Sequence, residues 1–148
     1  MTELRKITKE ELREVLRKHK LWLDGKEGGE KADLRWADLR KADLKGANLQ
    51  LAKIQGADLT GVNLEGARIQ WANFREARLP GANLQGARIR GANLQGADLR
   101  WVNLERASLK EAELQGASLE GTKIQGANFE GAKLQGANLD FVICGARI

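Results

Sequence analysis

Two side chains with reactive chemistry occur once each in the 148-residue chain, the imidazole of His19 and the thiol of Cys144. Catalysis needs several reactive groups that converge at one place. His19 falls on the apolar side of a predicted N-terminal helix, and we interpret it as a packed residue. Cys144 takes a position that is large and apolar in every earlier repeat, so we expect it to point inward as a small buried hydrophobe. A single cysteine allows no internal disulfide, which favours a reducing compartment.

Three carboxylates recur at a spacing of five residues, Asp33, Asp38 and Asp43. A metal site needs clustered ligands, whereas the repeat described next directs these side chains from three different walls. The glycine-containing strings do not match a phosphate-binding loop. We therefore predict no catalytic, cofactor-binding or metal-binding residues, and we expect a protein that is not an enzyme.

The dominant feature of the chain is a period of five residues, as in ANLQGARIRGANLQGADL at residues 82–99. From Leu34 to Leu139 every fifth residue is Leu, Ile or Phe, which gives 22 large apolar centres. Alanine lies two residues before the centre in 19 repeats. A helix would spread these apolar residues around its whole surface. In a long strand, an odd period would alternate them between the two faces.

A short extended piece followed by a corner accommodates the pattern, because residues two apart on a strand share a face. The second residue after each centre, the corner position, is glycine in 13 repeats, and glycine tolerates the positive φ of a type II turn. The exceptions to the inward alanine, Val62, Val102 and Thr122, lie at multiples of 20 residues. This spacing predicts four corners in each 20-residue coil. Outward asparagines at the same spacing, such as Asn63 and Asn83, predict side-chain ladders along the rod.

Strings such as ADLRWADLRKADLKGANLQ and GANLQGARIRGANLQGADL resemble the A(D/N)LXX motif of the pentapeptide-repeat proteins. The resemblance covers residues 32–141 without interruption, and HKLWLDGKEGGEKADL is similar to a lead-in that precedes the repeats in that family. It implies an all-β solenoid, a right-handed quadrilateral β-helix. We assign residues 1–31 to an N-terminal α-helical cap and lead-in, and residues 32–148 to the β-helix, with 22–23 repeats in nearly six coils.

Residues 1–31 contain no repeat, and their pattern predicts one helix that begins at Thr8. Thr8 and Glu11 have capping-box spacing, and Gly25 is suited to end the helix. The apolar stripe of this helix needs a partner, and the open end of the first coil is the nearest apolar surface. Because a solenoid end exposes core and strand edges, we expect a cap rather than a membrane-binding or partner-binding helix.

Composition and charge bear on localisation. The net charge is +5, and the N-terminus is too charged for a signal peptide. No apolar run approaches the length needed to cross a membrane. We expect a soluble cytoplasmic protein with no membrane partner.

A binding surface is the remaining candidate for function. Large apolar residues replace glycine at five corner positions: Trp36, Leu51, Trp71, Trp101 and Phe141. Local coverage of strand edges is one interpretation of these residues, and a binding hot spot is the other. Arginines accumulate near one of these corners, either as a solvated face or as a site for an acidic partner. The candidate partner-binding surface comprises Leu51, Arg68, Trp71, Arg88 and Arg90.

We expect a non-enzymatic scaffold that binds an unknown protein partner along one wall. The family resemblance implies a first alternative, because some pentapeptide-repeat proteins mimic duplex DNA and bind DNA gyrase or a related topoisomerase. This chain is net basic and has no continuous acidic wall, which disfavours that role. The second alternative is nucleic-acid binding through the arginine-rich wall, which would show a steep dependence on salt.

The repeats end in FVICGARI, where Ile143 takes a position that is polar in every earlier repeat. Apolar residues and strand edges at a solenoid end favour pairing with another chain, and two-fold symmetry is the simplest arrangement. We predict an end-to-end homodimer with Phe141, Val142, Ile143 and Ile148 near the contact. The alternative is that Phe141 and Ile143 fold back and seal the core within one chain.

Overall fold

The computed structural model describes residues 3–145, which begin with a short strand and one helix and continue as a coil. Strand β1 spans Arg5–Lys6, helix α1 spans Lys9–Leu23, and strand β2 spans Ala37–Asp38. Strand β1 pairs with β2 in parallel, so the chain before the helix adds one strand to the first coil. The remainder of the coil has only isolated residue pairs, because each wall has only a few extended residues between two corners.

The repeating unit of the coil is 20 residues long. The middle residue of each wall pairs in parallel with the residue 20 positions later, from Asp33 with Lys53 to Lys123 with Ile143. Backbone hydrogen bonds make these pairs: the Leu94 N–H, for example, donates to the carbonyl of the next coil at 2.7 Å. The predicted coil length is therefore confirmed.

The corner positions adopt the left-handed conformation that the repeat predicts. All 22 residues at this position from Trp36 to Phe141 have φ between +56° and +72°, and nine of them are not glycine. The N–H of the next inward residue closes each turn, as Ala97 does on the Leu94 carbonyl at 3.0 Å. Left-handed backbone is unfavourable for residues with a Cβ, so stacking against the neighbouring coils must hold these nine corners in place.

The core is the set of inward residues, and it is closed from Ala32 to Thr122. The large centres and the inward alanines in this range are buried, apart from the half-buried alanines of the first coil, Ala42 and Ala47. Val62, Val102 and Thr122 lie on one wall and are at most 1% exposed, and the Thr122 hydroxyl donates to the Leu99 carbonyl at 2.9 Å. The inward assignment of the repeat is confirmed for this range. Each fully buried Leu or Ile contributes about 1.5–3 kcal/mol before entropy is counted.

The outward asparagines stack at 20-residue spacing as predicted, but their side-chain oxygens bond locally rather than to the next asparagine. The side-chain oxygen of Asn63 accepts from the backbone N–H of Glu65 at 3.1 Å, and Asn83 makes the same bond with Gln85 at 3.0 Å. These local contacts, typical of Asx turns, hold the side-chain oxygen at the entry to each corner. A bond between coils does occur at Asn63, whose amide donates to Asp43 at 3.3 Å.

Helix α1 begins and ends as its sequence predicts. Thr8 is the N-cap and forms a reciprocal capping box with Glu11. At the other end Gly25 has φ of +67°, and its N–H donates to the Trp22 carbonyl at 3.1 Å. The following N–H, of Lys26, reaches back to the Leu21 carbonyl, which completes a Schellman motif. The apolar side chains that pack against the core are half-buried: Ile7, Leu12, Val15 and Leu16.

Within residues 3–145, no helix has the length and apolar character needed to cross a membrane.

Candidate functional site

The five residues of the predicted partner surface lie together, and we call this surface the Arg68 wall: Leu51, Arg68, Trp71, Arg88 and Arg90. Arg68 and Arg88 pair on adjacent coils in the middle of the wall. The N–H of Trp71 donates to the Arg90 carbonyl at 3.0 Å, which places the indole corner beside the next arginine. Leu51 takes the same corner one coil earlier, and its N–H donates to the residue before Trp71.

The arginines of this wall differ in their partners. Arg90 forms an ion pair with Glu111 at 2.8 Å, and both side chains are about half exposed. Arg68 and Arg88 are also exposed, and within residues 3–145 neither has a carboxylate within ion-pair distance. Like charges on neighbouring strands repel each other. The Arg68 wall therefore carries two stacked positive charges that an acidic partner would relieve.

Trp71 is 53% exposed, although one face of its indole is covered. The ring lies over Gly91 of the next coil, where an added Cβ would overlap Cε3 and Cζ3 of the indole. Trp36 over Gly56 and Trp101 over Gly121 repeat this arrangement. The tryptophans therefore cover backbone locally, as the first of our two interpretations holds, and each still presents a large apolar surface outward.

This contact predicts a difference between two glycines of identical backbone conformation. Gly91→Ala should destabilise the protein by about 1–3 kcal/mol more than Gly86→Ala, because only Gly91 lies under an indole. Both positions have left-handed φ, so the backbone penalty is shared by the two variants. Urea unfolding measures the difference, which should vanish when both substitutions are repeated in a Trp71→Ala background. Equal effects in the wild-type background would contradict the packing described here.

His19 is fully buried, and both of its ring nitrogens are engaged. Nδ1 accepts a hydrogen bond from the Ala32 N–H at 3.0 Å, so Nε2 carries the proton and donates to the Gln50 carbonyl at 2.9 Å. Trp22 stacks on the ring, with centroids 5.6 Å apart. Burial lowers the pKa of His19, and the nearby charge of Lys31 adds to this effect. The interpretation of His19 as a packed residue is confirmed, and its two backbone bonds are an addition that the sequence alone did not indicate.

Asp33 and Asp38, two of the three carboxylates at five-residue spacing, have local partners. Asp33 forms a two-pronged ion pair with Arg35, and Asp38 does so with Arg40. Each arginine lowers the pKa of its aspartate to about 2. The Asp-Leu-Arg triplet is the signal for this contact, and sequence analysis missed it. In the part of the chain that the structure describes, no three or more His, Cys, Asp or Glu side chains lie together so that they could hold a metal ion.

At the other end of the solenoid, the prediction for Cys144 is wrong, and the alternative in which Phe141 and Ile143 seal the core does not occur. Cys144 is exposed rather than buried, because no coil among residues 3–145 stacks on it. Phe141 is 76% exposed and Ile143 is 47% exposed, while Ile143 keeps its regular pairing with Lys123. These two residues therefore do not fold back over the core. Val142 is half-buried against the core, and Ile148 lies outside the described residues.

Comparison with known proteins gives a family for this architecture. The family model for pentapeptide repeats matches residues 30–66, 67–106 and 103–140, with eight copies. No curated protein matches the chain.

The solved structures similar to it include those of two cyanobacterial proteins. Rfr23, a pentapeptide repeat protein from the cyanobacterium Cyanothece 51142, has 30% identity over 63% of this chain, with a TM-score of 0.61. HetL, a pentapeptide repeat protein involved in heterocyst differentiation regulation from Nostoc sp. strain PCC 7120, has 36% identity over 77% of this chain, with a TM-score of 0.58. The match spans 64% of the Rfr23 chain and 58% of the HetL chain.

The family model extends over most of the chain. The pentapeptide-repeat structures that the chain resembles are right-handed β-helices, in agreement with its 20-residue coil. Proteins of this class are structural or binding scaffolds, and no catalytic family is indicated. The chain belongs to the pentapeptide-repeat family.

Proposed function

We propose that this protein is a non-enzymatic scaffold that binds an acidic protein partner through the Arg68 wall. The observation that carries the proposal is the pair of stacked arginines, Arg68 and Arg88, neither of which has a carboxylate within ion-pair distance in residues 3–145. Trp71 lies at the adjacent corner with half of its surface exposed. Aromatic residues and arginines are the side chains that contribute most to protein interfaces.

The relatives support a binding role without naming a partner. HetL is involved in the regulation of heterocyst differentiation, and a regulatory role of this kind is compatible with a protein that acts by binding. The rigid ladder of backbone hydrogen bonds holds the Arg68 wall in one shape. A preformed surface loses little conformational entropy when it binds. The exposed free thiol of Cys144 is compatible with a reducing compartment, which supports action in the cytoplasm.

The test compares capture of partners by matched variants from a lysate of the source organism. Trp71→Ala and the double variant Arg68→Gln/Arg88→Gln should each reduce capture of the same protein at least about tenfold. Trp101→Ala is the control for the first variant, because Trp101 also lies over a glycine but on a different corner. Lys26→Gln/Lys123→Gln is the control for charge, since both lysines are exposed.

The outcomes separate the proposal from its alternatives. Equal loss with the test and control variants would contradict a specific surface. Capture that disappears after nuclease treatment, with a steep salt dependence, would indicate nucleic-acid binding instead. Inhibition of DNA gyrase supercoiling by the wild-type protein would indicate the DNA-mimicking role, which its net charge of +5 disfavours.

The two ends of the solenoid carry a second, structural proposal. We propose that α1 is the cap of the first coil, since its apolar residues pack against the core and its His19 bonds to the coil.

We also propose that the last coil joins a second copy end to end. Phe141 and Ile143 are exposed there, beside the half-buried Val142. Light scattering tests the dimer: we expect twice the monomer mass, and Phe141→Asp with Ile143→Glu should restore the monomer. A monomer of the wild-type chain at high concentration would exclude the dimer.

A further inference from the structure

The first coil has four walls, and the edge that faces the N-terminal segment has no preceding coil. Residues 3–31, which precede the repeats, form hydrogen bonds with three of these walls. The Arg5 guanidinium donates to the Asp33 carbonyl at 2.7 Å on the first wall. Strand β1 pairs with the second wall, at Asp38. On the fourth wall the His19 ring donates to the Gln50 carbonyl. The third wall, between these, is the Ala42–Lys45 edge.

The Ala42–Lys45 edge is open. One coil further on, the middle residue of the same wall, Asn63, donates its N–H to the Ala42 carbonyl at 3.0 Å. The corresponding residue of the first coil is Asp43, and its backbone N–H and carbonyl have no hydrogen-bond partner within residues 3–145. An open strand edge is a template for a further strand.

A groove runs between helix α1 and this edge, with a volume of about 400 Å³. Its floor is apolar and half-buried, formed by Leu12, Leu16 and Ala42. Its rim carries three exposed cations and one exposed carboxylate: Lys9, Arg13, Lys41 and Asp43. Within the described residues none of the three cations takes part in an ion pair. The groove therefore combines an apolar floor, an unpaired backbone edge and an excess of positive charge.

We propose that this groove binds a short, extended, acidic segment of a partner protein, which adds as a strand to the Ala42–Lys45 edge. Strand addition gives affinity through main-chain hydrogen bonds and specificity through alternate side chains. Strand β1 already occupies the neighbouring wall in this manner and in parallel orientation. The segment would pair with Asp43 as β1 pairs with Asp38.

The side chains of an added strand would alternate between two environments, so its sequence should contain both apolar and acidic residues. Successive side chains of a strand point to opposite sides, so every second residue would face the floor of Leu12 and Leu16. The intervening residues would face solvent beside Lys9 and Arg13, where carboxylates are favoured. This site is separate from the Arg68 wall and does not depend on it.

The experiment selects random short peptides, displayed on phage, on the full chain. Selected peptides should alternate apolar and acidic residues, and they should bind the Lys9→Glu/Arg13→Glu variant about tenfold more weakly. Both side chains are exposed, and an acidic residue at position 9, in the first helical turn, is favourable for a helix. A thermal melt of the variant like that of the wild type should show that a loss of binding does not reflect a loss of folding. Lys26→Glu/Lys123→Glu makes the same change of charge elsewhere and should leave the affinity unchanged.

Amide exchange of Asp43 distinguishes strand addition from simple charge attraction. In the free protein the Asp43 amide should exchange quickly, whereas the Asn63 amide is already protected by its bond to Ala42. A selected peptide should slow exchange at Asp43 at least about tenfold. Unchanged exchange at Asp43 with peptide bound, or peptides that bind the wild-type and the Lys9→Glu/Arg13→Glu chains equally, would overturn the proposal. Protection of Asp43 in a dimer without peptide would overturn it too, because the occupant would then be a second copy.

Discussion

Leu94→Lys is expected to unfold the coil, or to remove most of its stability, in a thermal melt followed by circular dichroism. Leu94 is 3% exposed and lies in the middle of the rod. The lysine ammonium would have no partner there, and the cost of burying an uncompensated charge is several kcal/mol. The longer lysine side chain also disturbs the tight packing around it, which adds about 1–3 kcal/mol. Together these costs approach the whole stability of a domain of this size, about 5–15 kcal/mol.

Gln95→Lys is the matched control, because it introduces the same side chain one residue later. Gln95 is half-buried on the outer surface and donates to Glu113 at 3.0 Å. A lysine at this position stays in water and keeps an attractive contact with the Glu113 carboxylate. We expect a change within about 1 kcal/mol. Similar melts for the two lysine variants would contradict the inward and outward assignment of the repeat.

His19→Ala is expected to destabilise the protein by about 3–5 kcal/mol in urea unfolding at pH 8. The substitution leaves a cavity under α1 and removes the partners of the Ala32 N–H and the Gln50 carbonyl. Trp22 also loses the ring on which it stacks. Because these contacts join the helix to the coil, amide exchange should accelerate first in α1. Exchange in the middle coils is the internal reference and should change less.

The same histidine predicts an acid dependence of stability. The pKa of His19 is lowered in the folded state, so below about pH 6.5 the unfolded chain binds the proton more readily than the folded one. The contribution of His19 is therefore complete above that pH and falls as the pH drops toward the folded pKa, by at most about 1.4 kcal/mol per pH unit. The stability difference between wild type and His19→Ala should shrink over this range. A folded-state pKa at or above 6.5, measured by NMR titration, would contradict the burial of a neutral ring.

Most of the fold can be predicted from the sequence, because every five-residue repeat carries the same pattern of inward and corner residues. The 20-residue coil follows from Val62, Val102 and Thr122, which depart from alanine on one wall only. The ends of α1 follow from Thr8 and Gly25, whose local chemistry does not depend on the rest of the chain. The helix ends are predictable because cap preferences are short-range, and the coil length is predictable because the same wall recurs every 20 residues.

The candidate surfaces are less predictable, because they depend on which side chains find a partner in space. The period places Arg68 beside Arg88, but only the folded structure shows that neither lies within ion-pair distance of a carboxylate in residues 3–145. The prediction for Cys144 failed because the period describes an interior coil and contains no information on where stacking stops. The groove at Asp43 was missed for a related reason. It depends on the path of residues 3–31, which contain no repeat, so the periodic pattern does not predict it.

The tryptophans that lie over glycines have a consequence for how such a rod can change in length during evolution. Insertion of one five-residue repeat keeps every centre inward, so the core tolerates it. Between Trp36 and Leu51, however, the same insertion would bring Leu51 to the position one coil beyond Trp36. The leucine Cβ would then occupy the space of the indole. Duplication of the complete coil 37–56 keeps a glycine opposite the indole, so growth before Leu51 is compatible with a step of 20 residues and not with a step of five.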